Sequence, residues 1–125
     1  NVGSTAAYQP GPFMAVYYAT KAYVLSFSEA LSYELKGTGV SVTCLNPGPT
    51  ESNFFRAGNM TEIPMARNLR MSASRVARLG YDGLMSGRHV VIQGFWNWLG
   101  AVFVRFVPRS LVLRAVTMLQ RNRRG

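Results

Sequence analysis

Apolar and polar positions fall into blocks of different period along the chain. From Phe13 to Lys36 the helix formers Ala15, Ala19, Ala22, Leu25, Ala30, Leu31 and Leu35 predict one long helix, with Phe27 and Tyr33 adding bulk to its apolar faces. Gln9-Pro10-Gly11-Pro12 breaks regular structure before it. Lys36-Gly37-Thr38-Gly39 ends it, because glycine enters a left-handed cap without a Cβ penalty. Val40 to Asn46 is short, apolar and rich in β-branched residues, the pattern of a buried strand. Asn1 to Ser4 looks like the last residues of an earlier strand running into a loop, which puts Ser4 at a strand end.

Helix, tight glycine turn and buried strand make half of a βαβ unit. Pro47-Gly48-Pro49-Thr50 then stops the strand and exposes backbone at its carboxyl end, where open parallel sheets bind ligands. Residues 51–71 are weakly patterned and predict one or two helical turns in a loop, in the position of a lid or substrate wall. Ser72 suits the N-cap of a further helix with Val76, Leu79 and Leu84 inward and Arg75 and Arg78 in water, although Gly80 and Gly83 weaken it. Arg88 to Gln93 is a second short strand, ended by Gly94. Beyond it, Phe95, Trp96, Trp98, Leu99, Val102, Phe103, Val104, Phe106 and Val107 form a dense apolar patch. After Pro108 comes a helix-like stretch with Val112, Ala115, Val116 and Leu119 on one face and arginines bordering it. Leu99 to Val107 is too short to cross a bilayer and Arg105 interrupts it, so no transmembrane span is expected.

Composition and charge divide the chain unevenly. At 125 residues, 48% of them hydrophobic, it is one domain or a piece of one, with enough apolar material for a core. All of the net charge of +9 falls in residues 51–125, where twelve arginines face only Glu51, Glu62 and Asp82. Such a balance suits nucleic acid or acidic lipid. The arginines are spaced out, however, with no zinc-ligand spacing and no aromatic RNA-binding pattern, so neither a nucleic-acid partner nor a metal site is expected. Cys44 is the single cysteine and lies in an apolar run, where it acts as a small hydrophobe. It has no partner for an internal disulfide, which suits a reducing, cytoplasmic location. His89, beside Val90 to Ile92, reads as structural. Asn1-Val2-Gly3-Ser4 starts as if inside an element, so a preceding portion is expected.

Candidate chemistry sits on the long helix. Tyr17 and Lys21 are four residues apart and share a helix face. A phenol with an ammonium beside it ionises more readily than a phenol in water, which equips it to pass a proton. Taken alone, the pair also fits a packing aromatic next to a solvated lysine.

The ordered set decides between them. Ser4, thirteen residues before Tyr17, then Tyr17-Tyr18-Ala19-Thr20-Lys21, then Asn46-Pro47-Gly48-Pro49-Thr50-Glu51-Ser52, resembles the second half of a short-chain dehydrogenase/reductase. The likeness covers residues 1 to about 93, with an arginine-rich tail beyond. It implies an α/β fold, the C-terminal part of a Rossmann-type doubly wound parallel sheet with a helical C-terminal extension. Residues 1–93 would belong to the dehydrogenase domain and 94–125 to the tail.

The resemblance implies hydride transfer between NAD or NADP and a small-molecule carbonyl or secondary alcohol, with an apolar substrate such as a lipid or steroid among the open readings. Tyr17 would be the general acid for reduction and the general base for oxidation. Lys21 would assist it and bind the nicotinamide ribose hydroxyls, and Ser4 would hold the substrate oxygen. Pro47 and Gly48 would let backbone approach the nicotinamide, while Thr50 and Ser52 would contact the carboxamide and nearby phosphate. Ser52 stands where the family more often has threonine, and Thr50 where valine or isoleucine is common; both keep the backbone groups. The glycine-rich pyrophosphate turn and the residue choosing NAD or NADP would lie before Asn1. The resemblance also implies a homo-oligomer through paired helices that include the tyrosine helix. Two alternatives stay open: a non-catalytic remnant, and a peripheral membrane or partner-binding module using the 94–125 tail; a tail that closes as a lid or dimer arm over an apolar substrate is compatible with the enzyme reading.

Overall fold

A computed structural model describes residues 1–51 and 70–121. The chain opens on a short extended segment whose Asn1 N and Gly3 N donate to Thr43 O and Leu45 O at 2.9 and 2.8 Å, while Leu45 N donates to Asn1 O. A 3-10 turn at Thr5–Tyr8 follows, capped by Ser4, whose Oγ accepts from Ala6 N at 3.1 Å. Helix α1 spans Ala15–Glu34 and strand β1 spans Cys44–Asn46. Strands β2 (Thr50–Glu51) and β3 (Met71–Ser72) make a small parallel pair. Helix α2 covers Ala73–Met85, strand β4 Val90–Ile92, helix α3 Phe95–Phe103 and helix α4 Arg109–Arg121, with a 3-10 turn at Val104–Phe106 joining the last two.

The central layer is parallel. β4 pairs with β1 in the register Cys44↔Val90, Leu45↔Val91 and Asn46↔Ile92, and Val2 bridges to Leu45 on the other side. Alternation along the strands then assigns the helices to opposite faces. Leu45 and Val91 share one face, and α2 packs there so closely that a Cβ at Gly80 would meet Leu45 Cδ2 and one at Gly83 would collide with Val91 Cγ2. The two glycines that weaken the helix as a pattern are thus what lets it lie on the sheet. Asn1, Cys44 and Asn46 share the other face, where α1 packs and Asn1 Nδ2 donates to Ser28 Oγ at 2.9 Å. Helices on both faces of a parallel sheet make the doubly wound α/β arrangement.

Local signals place the ends of the elements well and their extents less well. Ser72 does cap α2, its Oγ accepting from Arg75 N at 3.4 Å. Phe13 is not helical; its φ of 67° keeps it outside α1. The strand expected over Val40–Asn46 is confined to Cys44–Asn46. Gly39 turns the chain at φ 84°, and Val40 and Ser41 are exposed before the neighbouring strands begin.

On α1 the expected apolar bulk faces outward: Phe27 and Tyr33 are exposed, and the buried residues are Leu25, Ser28 and Ser32. Small side chains let α1 sit close to the sheet, and the serine hydroxyls donate to Val24 O and Glu29 O in their own helix. On α4 the buried stripe is Val112, Val116 and Gln120, not the expected Ala115 and Leu119, which are exposed. Gln120 Nε2 donates to Tyr18 Oη at 3.0 Å and ties this helix to α1. The expected substrate loop lies outside the described residues apart from its ends at Glu51, Arg70 and Met71.

Candidate active site

The carboxyl ends of three parallel segments meet at one edge of the sheet. Ser4 ends the first, Asn46 ends β1, and Gln93 follows β4. The ladder continues past the strands, with Thr5 N donating to Pro47 O at 3.0 Å, so the Ser4 segment and the Pro47-Gly48 turn lie side by side.

Two buried amides fix this edge. Asn46 is wholly buried; its Oδ1 accepts from Ser4 N at 3.1 Å and its Nδ2 donates to Tyr8 Oη at 3.0 Å. A Cβ at Gly3 would fall on Asn46 Oδ1, so only glycine leaves room for the amide there. Gln93 is equally enclosed, and its Oε1 accepts from Gly48 N at 3.2 Å. Its backbone carbonyl accepts from Asn97 Nδ2 at 2.7 Å, and a Cβ at Gly48 would collide with that Asn97 side chain. Gly48 therefore admits a close neighbour, and within this chain the neighbour is Asn97 of α3. Thr50 Oγ1 donates to Gly48 O at 2.9 Å and closes the turn.

Tyr17 and Lys21 lie on one face of α1, with Lys21 Nζ 5.8 Å from the centroid of the Tyr17 ring. Lys21 Nζ also donates to Val2 O at 3.2 Å. Asn1 and Gly3 spend their backbone groups on β1, so the Val2 carbonyl points to the opposite edge, where the ammonium reaches it. Lysine carries three N–H donors, and this bond uses one. Tyr17 and Tyr18 are neighbours edge to face, with ring centroids 5.9 Å apart.

Of the residues expected in the site, the structure gathers Ser4, Pro47, Gly48 and Thr50 at the sheet edge and sets Lys21 against Tyr17 and the segment leading to Ser4. Ser52 lies outside the described residues. A groove of about 770 Å³ opens nearby between the Thr5–Tyr8 turn, α1 and the tail. Ala15, Tyr18, Ala19 and Ala22 form its α1 wall, and Tyr17 and Lys21 do not line it.

Tyr8 has a displaced proton affinity. Burial, and then the negative charge of Glu29, pushes its phenol up to about 12. It stays protonated across the neutral range. Tyr8, Gln93 and Asn97 carry no motif that singles them out. The one usable signal is that Asn46 and Gln93 each close an apolar strand with an amide, a polar group that burial obliges to find partners.

Known proteins fit this geometry. The family profile described as short chain dehydrogenase matches residues 1–62. The 17-beta-hydroxysteroid dehydrogenase type 3 of Mus musculus is 43% identical over 124 residues, 98% of this chain and 41% of the mouse protein. The sulfoacetaldehyde reductase of Chromohalobacter salexigens is 52% identical over 54 residues, 43% of this chain and 21% of the bacterial one. The chain thus spans less than half the length of these relatives. A solved structure, described under insights into 7beta-hydroxysteroid dehydrogenase stereoselectivity, superposes with a TM-score of 0.76 over 94% of this chain and 46% of its own, at 22% identity, and so shares its fold. With the profile, the relatives and the doubly wound sheet in agreement, the chain belongs to the short-chain dehydrogenase/reductase family, whose members are oxidoreductases.

Proposed function

We propose that these residues supply the proton-transfer side of an NAD(P)-dependent enzyme that interconverts a carbonyl and a secondary alcohol. The observation that carries this reading is the Lys21 ammonium 5.8 Å from the Tyr17 ring centroid, beside the segment that leads to Ser4. A nicotinamide cofactor, when bound, gives or takes the hydride. The residues fit such a group at its ribose: Lys21 keeps two N–H donors beyond the one given to Val2 O, enough for a diol. The turn at Pro47-Gly48-Pro49-Thr50 would lie along the nicotinamide, with Gln93 fixing its Gly48 N–H.

On this reading the chain's own residues manage charge on the substrate oxygen. When the carbonyl carbon is reduced, negative charge builds on oxygen and must be met at once. Ser4 Oγ accepts from Ala6 N, which leaves its own O–H free to donate to that oxygen. The Tyr17 hydroxyl delivers the proton, and in the oxidative direction it takes the proton back. Asn46 holds the Ser4 backbone while this happens. The pyrophosphate needs a glycine-rich turn at a helix N-terminus, and we place that turn outside these 125 residues, which on their own would not turn over substrate.

The relative matching along 98% of the chain is named for a steroid alcohol, which favours an apolar substrate over a short polar aldehyde. Homo-oligomerisation through the outward aromatic face of α1, where Tyr23 and Phe27 stack at 5.7 Å, belongs to the same proposal.

The test is Tyr17→Phe in the full-length polypeptide, assayed with NADH and NADPH against a ketosteroid and a short aldehyde. Loss of the hydroxyl should lower kcat by about 10²–10⁴-fold with little change in the KM for cofactor. Near-normal turnover would sink the assignment. Lys21→Ala should both raise the cofactor KM and lower kcat, because it would serve two functions.

A further inference from the structure

The outward face of the tail takes no part in the hydride transfer proposed above, and it is built in an unusual way. Helix α3 is amphipathic with its apolar side out. Ala101 is its buried residue and Asn97 turns inward to the Gln93 carbonyl, so the opposite side faces solvent. That side carries Phe95, Leu99 and Phe103 at four-residue steps, with Trp96 beside them. The exposures are large: 65% for Phe95, 72% for Trp96, 64% for Phe103, and 80% for Phe106 in the following turn. Phe95 lies 5.6 Å from the Trp96 ring and 6.1 Å from the Trp98 ring, so the aromatics form one patch and not scattered single residues. Helix α4 repeats the theme: it buries Val112, Val116 and Gln120 and turns Leu111, Arg114, Met118 and Arg121 outward.

Charge indicates what this surface meets. Residues 94–125 contain six arginines and no lysine, aspartate or glutamate. A second copy would bring an identical set of positive charges to the contact, which opposes pairing. A sheet of phosphates complements it. Aromatic rings settle at the boundary of headgroups and acyl chains, and guanidinium groups reach the phosphates while their stems stay in apolar surroundings. Among the described residues no helix is long and apolar enough to cross a membrane, and α3 has only nine residues, so the element can lie on a bilayer but not span it.

We propose that the tail docks on an anionic phospholipid bilayer through the outward face of α3. Phe95, Trp96, Leu99, Phe103 and Phe106 enter the headgroup boundary, and the surrounding arginines draw the tail to the phosphates. None of these side chains belongs to the proton-transfer site, so the docking stands or falls separately from it.

The experiment uses the full-length polypeptide in flotation with phosphatidylcholine vesicles, with and without phosphatidylserine, and lipids with brominated chains to quench Trp96. Wild-type protein should float with the anionic vesicles, show quenching at Trp96, and partition at least about tenfold less onto neutral ones. Phe95→Ser, Trp96→Ser and Phe103→Ser together should lower partition by on the order of tenfold or more. A second variant, Arg114→Gln with Arg121→Gln, leaves the rings in place; it should lower partition by on the order of tenfold and flatten its dependence on salt. Flotation of both variants at the wild-type level overturns the proposal. So does shielding of Trp96 from acrylamide in lipid-free protein, which would show that another part of the polypeptide or a second copy already covers the face.

Discussion

The carboxyl edge of the sheet and the outer face of the tail reverse the usual placement of polar and apolar groups, each in the opposite sense. At the edge, polar amides are sealed inside: Asn46 and Gln93 are almost without solvent contact. On the tail, Phe103 and Phe106 stand in water. The edge is already satisfied, because Asn46 meets Ser4 N and the Tyr8 hydroxyl while Gln93 meets Gly48 N. The tail is satisfied by nothing within the described residues of its outward face. Buried polarity here fixes loop geometry, whereas exposed apolarity calls for something from outside the chain. The two should therefore respond differently to substitution: changes at the edge should cost fold stability, and changes on the tail should cost association and leave the fold alone.

The largest effect is expected at Asn46. Asn46→Ala leaves the Ser4 N–H and the Tyr8 hydroxyl buried without their partner, and should lower unfolding free energy by about 2–4 kcal/mol. Urea unfolding of the full-length polypeptide measures it, and a loss near zero would mean the edge is not held by this amide. Gly83→Ala should follow at about 1–3 kcal/mol, since the added methyl runs into Val91 and pushes α2 off the sheet.

The pH dependence has a defined sign. The folded Tyr8 pKa, about 12, lies above the ordinary phenol value of 10.0, so folded protein holds the proton more tightly than unfolded protein. That contribution is complete below the unfolded value and is lost as pH rises through the folded one. Stability should fall between about pH 10 and about 12, and Tyr8→Phe should remove that part of the slope. The smallest effect is expected on the tail, where Phe103→Ser should change stability by no more than about 0.5 kcal/mol. A large loss there would show that the ring is packed and not waiting for a surface.

Sequence and structure agree where the signal is local. The Ser72 cap and the glycine turn after α1 depend on nearby residues alone, and each is where the pattern puts it. Disagreement appears where pairing decides. Val40 and Ser41 have the composition of a strand, but no neighbour runs beside them, so β1 begins at Cys44. Phe27 and Tyr33 are apolar and still face outward, because the sheet accepts the small Ser28 and Ser32 on α1. At the site, the spacing of Tyr17, Lys21 and the Pro47 turn was legible because each motif is contiguous. The links that brace it were not, because Gln93 meets Gly48, and Asn46 meets Ser4, across more than forty residues of chain.

Asn97 has a practical consequence for anyone cutting this protein. It sits on α3, yet its side chain rests against Gly48 and clasps the Gln93 carbonyl, and farther along Gln120 holds Tyr18. A stop codon after Gln93 would remove the bilayer-facing rings, but it would also take the wall from behind the Gly48 turn and uncover the neighbour of Tyr17. The tail is not a detachable cassette. Deletion would confuse loss of a docking surface with collapse of a loop, and point changes confined to the outward rings are the cleaner instrument.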